Sequence, residues 1–501
     1  MNKEHSHLQE QVDEAVGNKK IKSLSFYMGA WGATIPMLFF VVWAITISLL
    51  NISSEPALIM GALIGLALGM FFSKSKWSDY AQGIFDGMAQ PVGIVAIVAW
   101  FWAGMFAQIL KTGGLVEGLV WIGSVTGLTG AMFVGLTFVL ASVFSSAVGT
   151  GYGTVVAFST LMYPAGVIMG ADPVVLFAAI LSGAAFGDNY APVSDTTIVS
   201  AVTQDADIPG VVRSRFKYAI IAAVPALILF LIFGGGGQDI GLSQAEANQI
   251  MAQSASPDGL ILLIPFILVI YLALRGKHLI TTLTWGILSA IVLMVLVGLA
   301  DLRDFIYFEE GQIKGPLVDG FMGYMNMAIL ILLIMAASHL MALGGTMNSL
   351  KQVFFRWIKG VVRRAELTIW SIVSVLNVFI TINTAAEIAA APFVKEIGKQ
   401  YDIHPYRRAN MLDAISSALG YIFPWSAALL LGWSTIGQLQ ETSYSWLPVV
   451  MPTEAFPYVF HGWFLVLVML IAALTGWGLR FTGKNGEEIK PEEKKIENND
   501  K

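Results

Sequence analysis

Long apolar runs alternate with short polar ones along the whole chain. The runs fall at about 30–51, 56–72, 89–110, 130–147, 151–167, 173–203, 214–234, 257–274, 278–300, 322–343, 367–383, 384–399, 407–437 and 455–480. Two shorter amphipathic stretches lie at 113–127 and 347–360. Most runs have the roughly 20-residue length that carries a helix across the hydrocarbon core of a bilayer, and none alternates with the two-residue period of a membrane barrel. The pattern predicts an all-α, polytopic membrane protein. Two runs are interrupted: 173–203 near 187–194, by Gly187, Asp188, Asn189, Pro192 and Ser194, and 407–437 near 420–426, by Gly420, Pro424 and Ser426. Irregular backbone survives at membrane depth only where it is buried in protein or lines a cavity, which is where secondary transporters place broken helices and ion sites.

Composition agrees: 56% of the 501 residues are hydrophobic and 13% charged, against roughly 25% charged in soluble domains. The absence of cysteine excludes disulfides, thiolate metal sites and cysteine nucleophiles. The first 20 residues are polar and lack the apolar centre of a cleavable signal, so the first helix is expected to insert uncleaved. The mixed-charge tail after Gly483 is expected to be disordered. No nucleic-acid partner is expected.

Charge and repetition then organise the runs. With both termini cytoplasmic, and with 130–167 and 367–399 each entering and leaving on one side, 26 of the 29 basic residues fall on the inside, leaving Lys111, Arg303 and Lys314 outside. The halves also match. The stretch from Ile84 aligns with that from Leu317, VFSSAVGTGYGT at Val143 with VFITINTAAEIA at Val378, and the Gly187 break with the Gly420 break. With that topology the copies run in opposite senses, so inverted-topology repeats are expected. The expected divisions are a tail at 1–29, repeats at 30–234 and 257–480, an external linker at 235–256 and a second tail at 481–501.

Ionisable groups inside a bilayer are costly and mark function by default. Asp188, Asp195, Glu387 and Asp413 qualify. Asp188 and Asp195 flank the first break, where freed carbonyls and the hydroxyls of Ser194, Thr196 and Thr197 offer sodium an all-oxygen cage. Ser194 or Asp195 is also expected to cap the helix that resumes there. Glu387 and Asp413 are candidates for trading a proton against a cation. The hairpin tips add Ser145, Ser146, Gly149, Thr150 and Tyr152 on one side and Asn383 and Thr384 on the other, and the breaks add Asn189 and Trp425. His339 is a candidate partner for the proton. Asp86 and Asp319 read as helix starts and Glu117 as solvated. No basic residue falls at the centre of any run, so the acids are expected to be unbalanced, favouring a cationic or zwitterionic cargo. Trp100, Phe101, Trp102, Tyr152, Tyr190, Phe423 and Trp425 offer either packing or a cage for an organic ammonium.

The motifs GTGYGT (149–154) and SGAAFGDNYAPVSDTT (182–197) resemble those of the NhaC family of sodium/proton antiporters, within the larger ion transporter superfamily. Ala191 stands where that family more often has serine before the proline. The resemblance implies a cation-coupled secondary transporter in the cell membrane, a homodimer, with sodium as coupling ion or substrate and no other cofactor. Sodium/proton antiport is the first expectation and coupled movement of a small amine, amino acid or organic acid the alternative. A channel is disfavoured because Thr150-Gly151-Tyr152-Gly153 has no glycine or tyrosine counterpart in the matching INTAA stretch. Metalloprotease, serine hydrolase and Walker A signatures are absent, so no enzyme is expected.

Overall fold

The computed structural model describes residues 23–50, 52, 54–192, 194–236, 255–275, 277–309, 311–346, 349, 352, 358, 361–483 and 486–494. Most of the N-terminal tail, of the linker and of the amphipathic stretch at 347–360, and the last residues of the C-terminal tail, lie outside them. Apolar runs become helices: α1 (Ile35–Leu49), α2 (Glu55–Phe72), α3 (Trp77–Met88), α4 (Pro91–Thr112), α5 (Leu115–Thr126), α6 (Ala131–Val148), α7 (Gly151–Ile168), α8 (Pro173–Tyr190), α9 (Asp195–Thr203) and α10 (Ile208–Phe233). The second half supplies α11 (Leu263–Leu274), α12 (Leu279–Val297), α13 (Pro316–Met322), α14 (Met325–Leu343), α15 (Val362–Phe379), α16 (Asn383–Gln400), α17 (Pro405–Leu419), α18 (Ala427–Thr442) and α19 (Phe460–Thr475). Among the described residues, nine helical stretches are long and apolar enough to span a membrane, and α19 with the bent turn before it makes a tenth. The chain is a polytopic all-α membrane protein.

The packing forms two compact units, Met1–Val95 with Asn326–Trp357, and Ala96–Met325 with Ile358–Lys501. In the first, α1 and α2 pair closely, Trp43 Nε1 donating to the Ala57 carbonyl (2.8 Å) and Tyr80 of α3 to that of Leu66 (2.9 Å). Asp86 lies near the end of α3 and accepts from Gln82 (2.9 Å), so the expectation of a helix start fails there; Asp319, in the second unit, does fall in a first turn.

The second unit is built around α7, which is buried along its whole length. Both predicted interruptions are present. α8 stops at Tyr190 and α9 resumes at Asp195, one turn later than the sequence suggests, because Gly187, Asp188 and Asn189 remain helical. α17 stops at Leu419 and α18 resumes at Ala427. The matched segments 143–154 and 378–389 form hairpin tips, one turning at Gly149 and Thr150, the other at 380–382.

Three expectations are corrected in this unit. Glu117, in the first turn of α5, is half-buried with its Oε2 enclosed and without a hydrogen-bond partner, where a solvated carboxylate would have water. The tail beyond Gly483 is ordered through 486–494: Phe481–Thr482 pairs with Glu488–Ile489, the Thr482 N–H donates to Asp402 O (2.8 Å), and Lys494 meets the Asp402 carboxylate (3.1 Å). Its charges find partners here, where a solvated tail would leave them to water. Third, Arg215, Arg407 and Arg408 are buried instead of lying in inside loops. Arg407 is paired with Glu366 (2.6 Å), and Arg408 donates to the Gln204 carbonyl (2.7 Å).

Candidate functional site

The two breaks and two hairpin tips converge within the second unit. Two close approaches make this possible. A Cβ at Gly187 would lie 2.1 Å from Ser145 Cβ, and one at Gly151 only 1.6 Å from the Tyr421 hydroxyl, so α8 meets α6, and α7 meets the second break, only with glycine there. Ser145 adds a hydrogen bond to the Ala184 carbonyl (2.9 Å).

Asp188 stands at the centre, fully enclosed in the last turn of α8. Its Oδ1 accepts from Ser194 across the break (2.7 Å), and its Oδ2 accepts from Asn383 at the second tip (2.6 Å) and from Tyr421 in the second break (2.9 Å). Thr196 donates to its main-chain carbonyl (3.2 Å) and lies 3.0 Å from the Ser194 hydroxyl. Tyr152 donates to Asn383 Oδ1 (3.2 Å), stacks on Tyr421 and meets Trp100 edge-on. Ser194 occupies the cap position of α9 without capping it, because its hydroxyl is spent on Asp188. The expected cap from Ser194 is therefore corrected.

Asp195 begins α9, where the helix dipole favours a negative charge, and accepts from Thr384 (2.6 Å). It is exposed where Asp188 is not. Glu387, one turn into α16 from Thr384, is fully buried with neither carboxylate oxygen partnered. Among the described residues no basic side chain pairs with Asp188, Asp195 or Glu387.

Asp413 differs. It forms an ion pair with Arg215, both side chains fully buried, which corrects the expectation that nothing balances the acids. Ser417 donates to Asp413 Oδ1 (2.5 Å) and Thr197 to Oδ2 (3.3 Å), with longer contacts from Asn189 (3.4 Å) and Ser200 (3.4 Å). Arg215 also donates to the Asn189 carbonyl, to Thr197 (3.0 Å), to Ser200 (3.2 Å) and to Asn410 (3.1 Å).

The remaining candidates make local contacts. Ser146 donates to Ser142 O (2.7 Å), Gly149 ends α6, Thr150 caps α7 by accepting from the Gly153 N–H, and Trp425 stacks on Phe423 while donating to Val378 O (2.9 Å). The seven aromatics form no single cage: Tyr190 packs on Phe186 and Phe216, and Trp102 donates to Thr284. His339 belongs to the first unit and all four acids to the second. Sequence reading missed Arg215, Tyr421, Ser200, Asn410 and Ser417. Tyr421 could have been found, since it stands opposite Asp188 when Gly187 is aligned with Gly420. Arg215 could have been found from the buried stripe Val211, Arg215, Tyr218, Ala219, Ala222, Ala226 of α10.

Comparison with known proteins agrees with this architecture. The sequence profile of the Na+/H+ antiporter family matches residues 1–235 and 245–463. The arginine/ornithine antiporter ArcD of Halobacterium salinarum is 24% identical over 90% of this chain and 92% of its own. The malate-2H(+)/Na(+)-lactate antiporter of Bacillus subtilis is 29% identical over 50% of this chain and 53% of its own. The Na(+)/H(+) antiporter NhaC of Alkalihalophilus pseudofirmus is 26% identical over 63% of this chain and 69% of its own.

Proposed function

This chain belongs to the Na+/H+ antiporter family, and from that premise we propose that its sodium/proton exchange runs through Asp188, Asp195 and Glu387. What carries the reading is that these three acids stand by the α8–α9 break and the α16 tip without a basic partner among the described residues. Sodium is held by oxygens, and the break offers carboxylates, hydroxyls of Ser194 and Thr196 and the freed carbonyls of a helix end. Exposed Asp195 takes the ion first and buried Asp188 receives it, while its neutral donors turn away to make room. An ionised Glu387 with no partner carries a large desolvation cost, which a proton removes, so Glu387 is the proton carrier. Both termini lie in the cytoplasm, the halves are inverted repeats, and the protein works as a homodimer in the cell membrane.

A second reading has a specific support, the arginine/ornithine antiporter that matches over 92% of its length. In it an organic cation meets the same acids, with Trp100, Tyr152 and Tyr421 beside them.

Reconstitution into liposomes decides. An imposed sodium gradient is expected to drive proton movement without any organic solute. Asp195→Asn should abolish that sodium dependence and Glu387→Gln should flatten its pH profile, both in folded protein. A requirement for an added amine would favour the second reading; wild-type sodium dependence in Asp195→Asn would remove that carboxylate from the path.

A further inference from the structure

The cluster around Arg215 is left unused by exchange at Asp188 and Asp195. Its oxygens come from three helices: the Asn189 carbonyl in the last turn of α8, the Thr197 and Ser200 hydroxyls on α9, and the Asn410 amide oxygen and Asp413 carboxylate on α17. A helix-end carbonyl, two hydroxyls, an amide oxygen and a carboxylate are the donor types that hold a hard monovalent cation. Each of them here faces one guanidinium, which enters from α10 and is wholly enclosed. The hydroxyls suit either occupant, since Thr197 and Ser200 accept from Arg215 and are placed to donate to Asp413.

We propose that the Asp413 cluster is a cation site that the chain keeps permanently filled with its own Arg215. The tethered charge neutralises Asp413 in place, so that this carboxylate takes neither the transported ion nor the proton. It also ties both sides of the first break to α17, since Arg215 bonds Asn189 before the break and Thr197 and Ser200 after it. Arg215 is thus a positioning residue. Its consequence for transport, that the exchanged charge is set by Asp188, Asp195 and Glu387 alone, rests on the function proposed above; the filled site does not.

The test is cation rescue in the purified full chain, read as Tm in choline buffer with choline partly replaced by sodium or by methylguanidinium. Arg215→Ala is expected to lose stability and regain it with either small cation. Arg215→Lys, which brings its own charge, should need neither. The double variant Arg215→Ala/Asp413→Asn should be stable and indifferent to both. Arg215→Ala that responds no better to sodium or methylguanidinium than to choline overturns the proposal, as does rescue that persists in the double variant. If Arg215→Ala alone gives no folded protein, the double variant decides: folded and cation-indifferent supports the site, unfolded overturns it. Repeating the rescue in an Asp195→Asn background separates the two ideas, because the filled site predicts unchanged rescue there whatever becomes of sodium transport.

Discussion

Asp188 and Asp413 are both fully buried carboxylates at the end of one broken helix and the middle of another, joined by the contact of Ser417 with Thr196 (3.5 Å). Each accepts several hydrogen bonds. Those to Asp188 come from a serine, an asparagine and a tyrosine, all neutral, whereas Asp413 has an arginine among its donors. Hydrogen bonds to a charged group contribute about 1.5–3 kcal/mol each, yet burying an ion without a counter-ion costs several. At Asp413 the fold settles the charge. At Asp188 it is left for something arriving to settle, and that difference separates a structural acid from a transporting one.

The sharpest way to break the comparison is to neutralise each acid in turn. Asp188→Asn removes the charge that sodium would meet and should weaken apparent sodium affinity by roughly a hundredfold or more, the scale of about 3–5 kcal/mol for a lost buried ionic partner. Asp413→Asn should instead strand Arg215 and lower Tm by a comparable free energy. Sodium-titrated flux and thermal melts, run on both variants, would reverse the assignment if the two effects were exchanged. A smaller change is expected from Tyr421→Phe, which removes one neutral donor that sodium must displace from Asp188 and should raise apparent sodium affinity roughly tenfold, about 1.5 kcal/mol. Unaltered affinity there would take Tyr421 out of the site.

The smallest effect lies outside the membrane-spanning helices, where Asp205 meets Lys395 (2.7 Å) and Lys399 (3.1 Å) after α9. The Lys395 hydrogen bond, with Lys399 beside it, holds the Asp205 carboxyl below the usual range. A depressed acid adds stability above its unfolded value, and the gain is lost as pH falls through the folded one. The exposed clamp therefore contributes at neutral pH and fades in acid. Asp205→Asn should remove that acid-side slope with little change in transport. Melts across pH would show it, and an identical slope in the variant would assign the acid sensitivity elsewhere.

Much of this was legible because lipid punishes irregularity. Gly149, Pro192, Gly420 and Pro424 announce the tips and breaks, and acids inside apolar runs announce the site. Arg215 was hidden by its neighbours: among Arg213, Arg215 and Lys217 a charge count sees one basic loop, whereas the helix turns only the middle residue onto its buried stripe. Hydropathy averages over a window, and the side a residue faces is lost in the average. Tyr421 was hidden differently, being an aromatic in a chain with 30 phenylalanines, 14 tyrosines and 14 tryptophans, most of which pack. Only its alignment with Asp188 singles it out. The helical state of Asp188 and Asn189 was missed because a glycine next to an aspartate reads as a break, while close packing of Gly187 on Ser145 was the real reason for that glycine.

The partners of Asp188 carry a further consequence for how the molecule is made. Asn383 lies 195 residues further along the chain and Tyr421 lies 233. When α8 leaves the ribosome, neither donor has been translated, and the carboxylate must wait through most of the remaining synthesis. Contacts this remote in sequence assemble slowly, so the first half enters the bilayer as an unfinished intermediate, and a ribosome stalled near residue 380 would leave it without the groups that complete its centre.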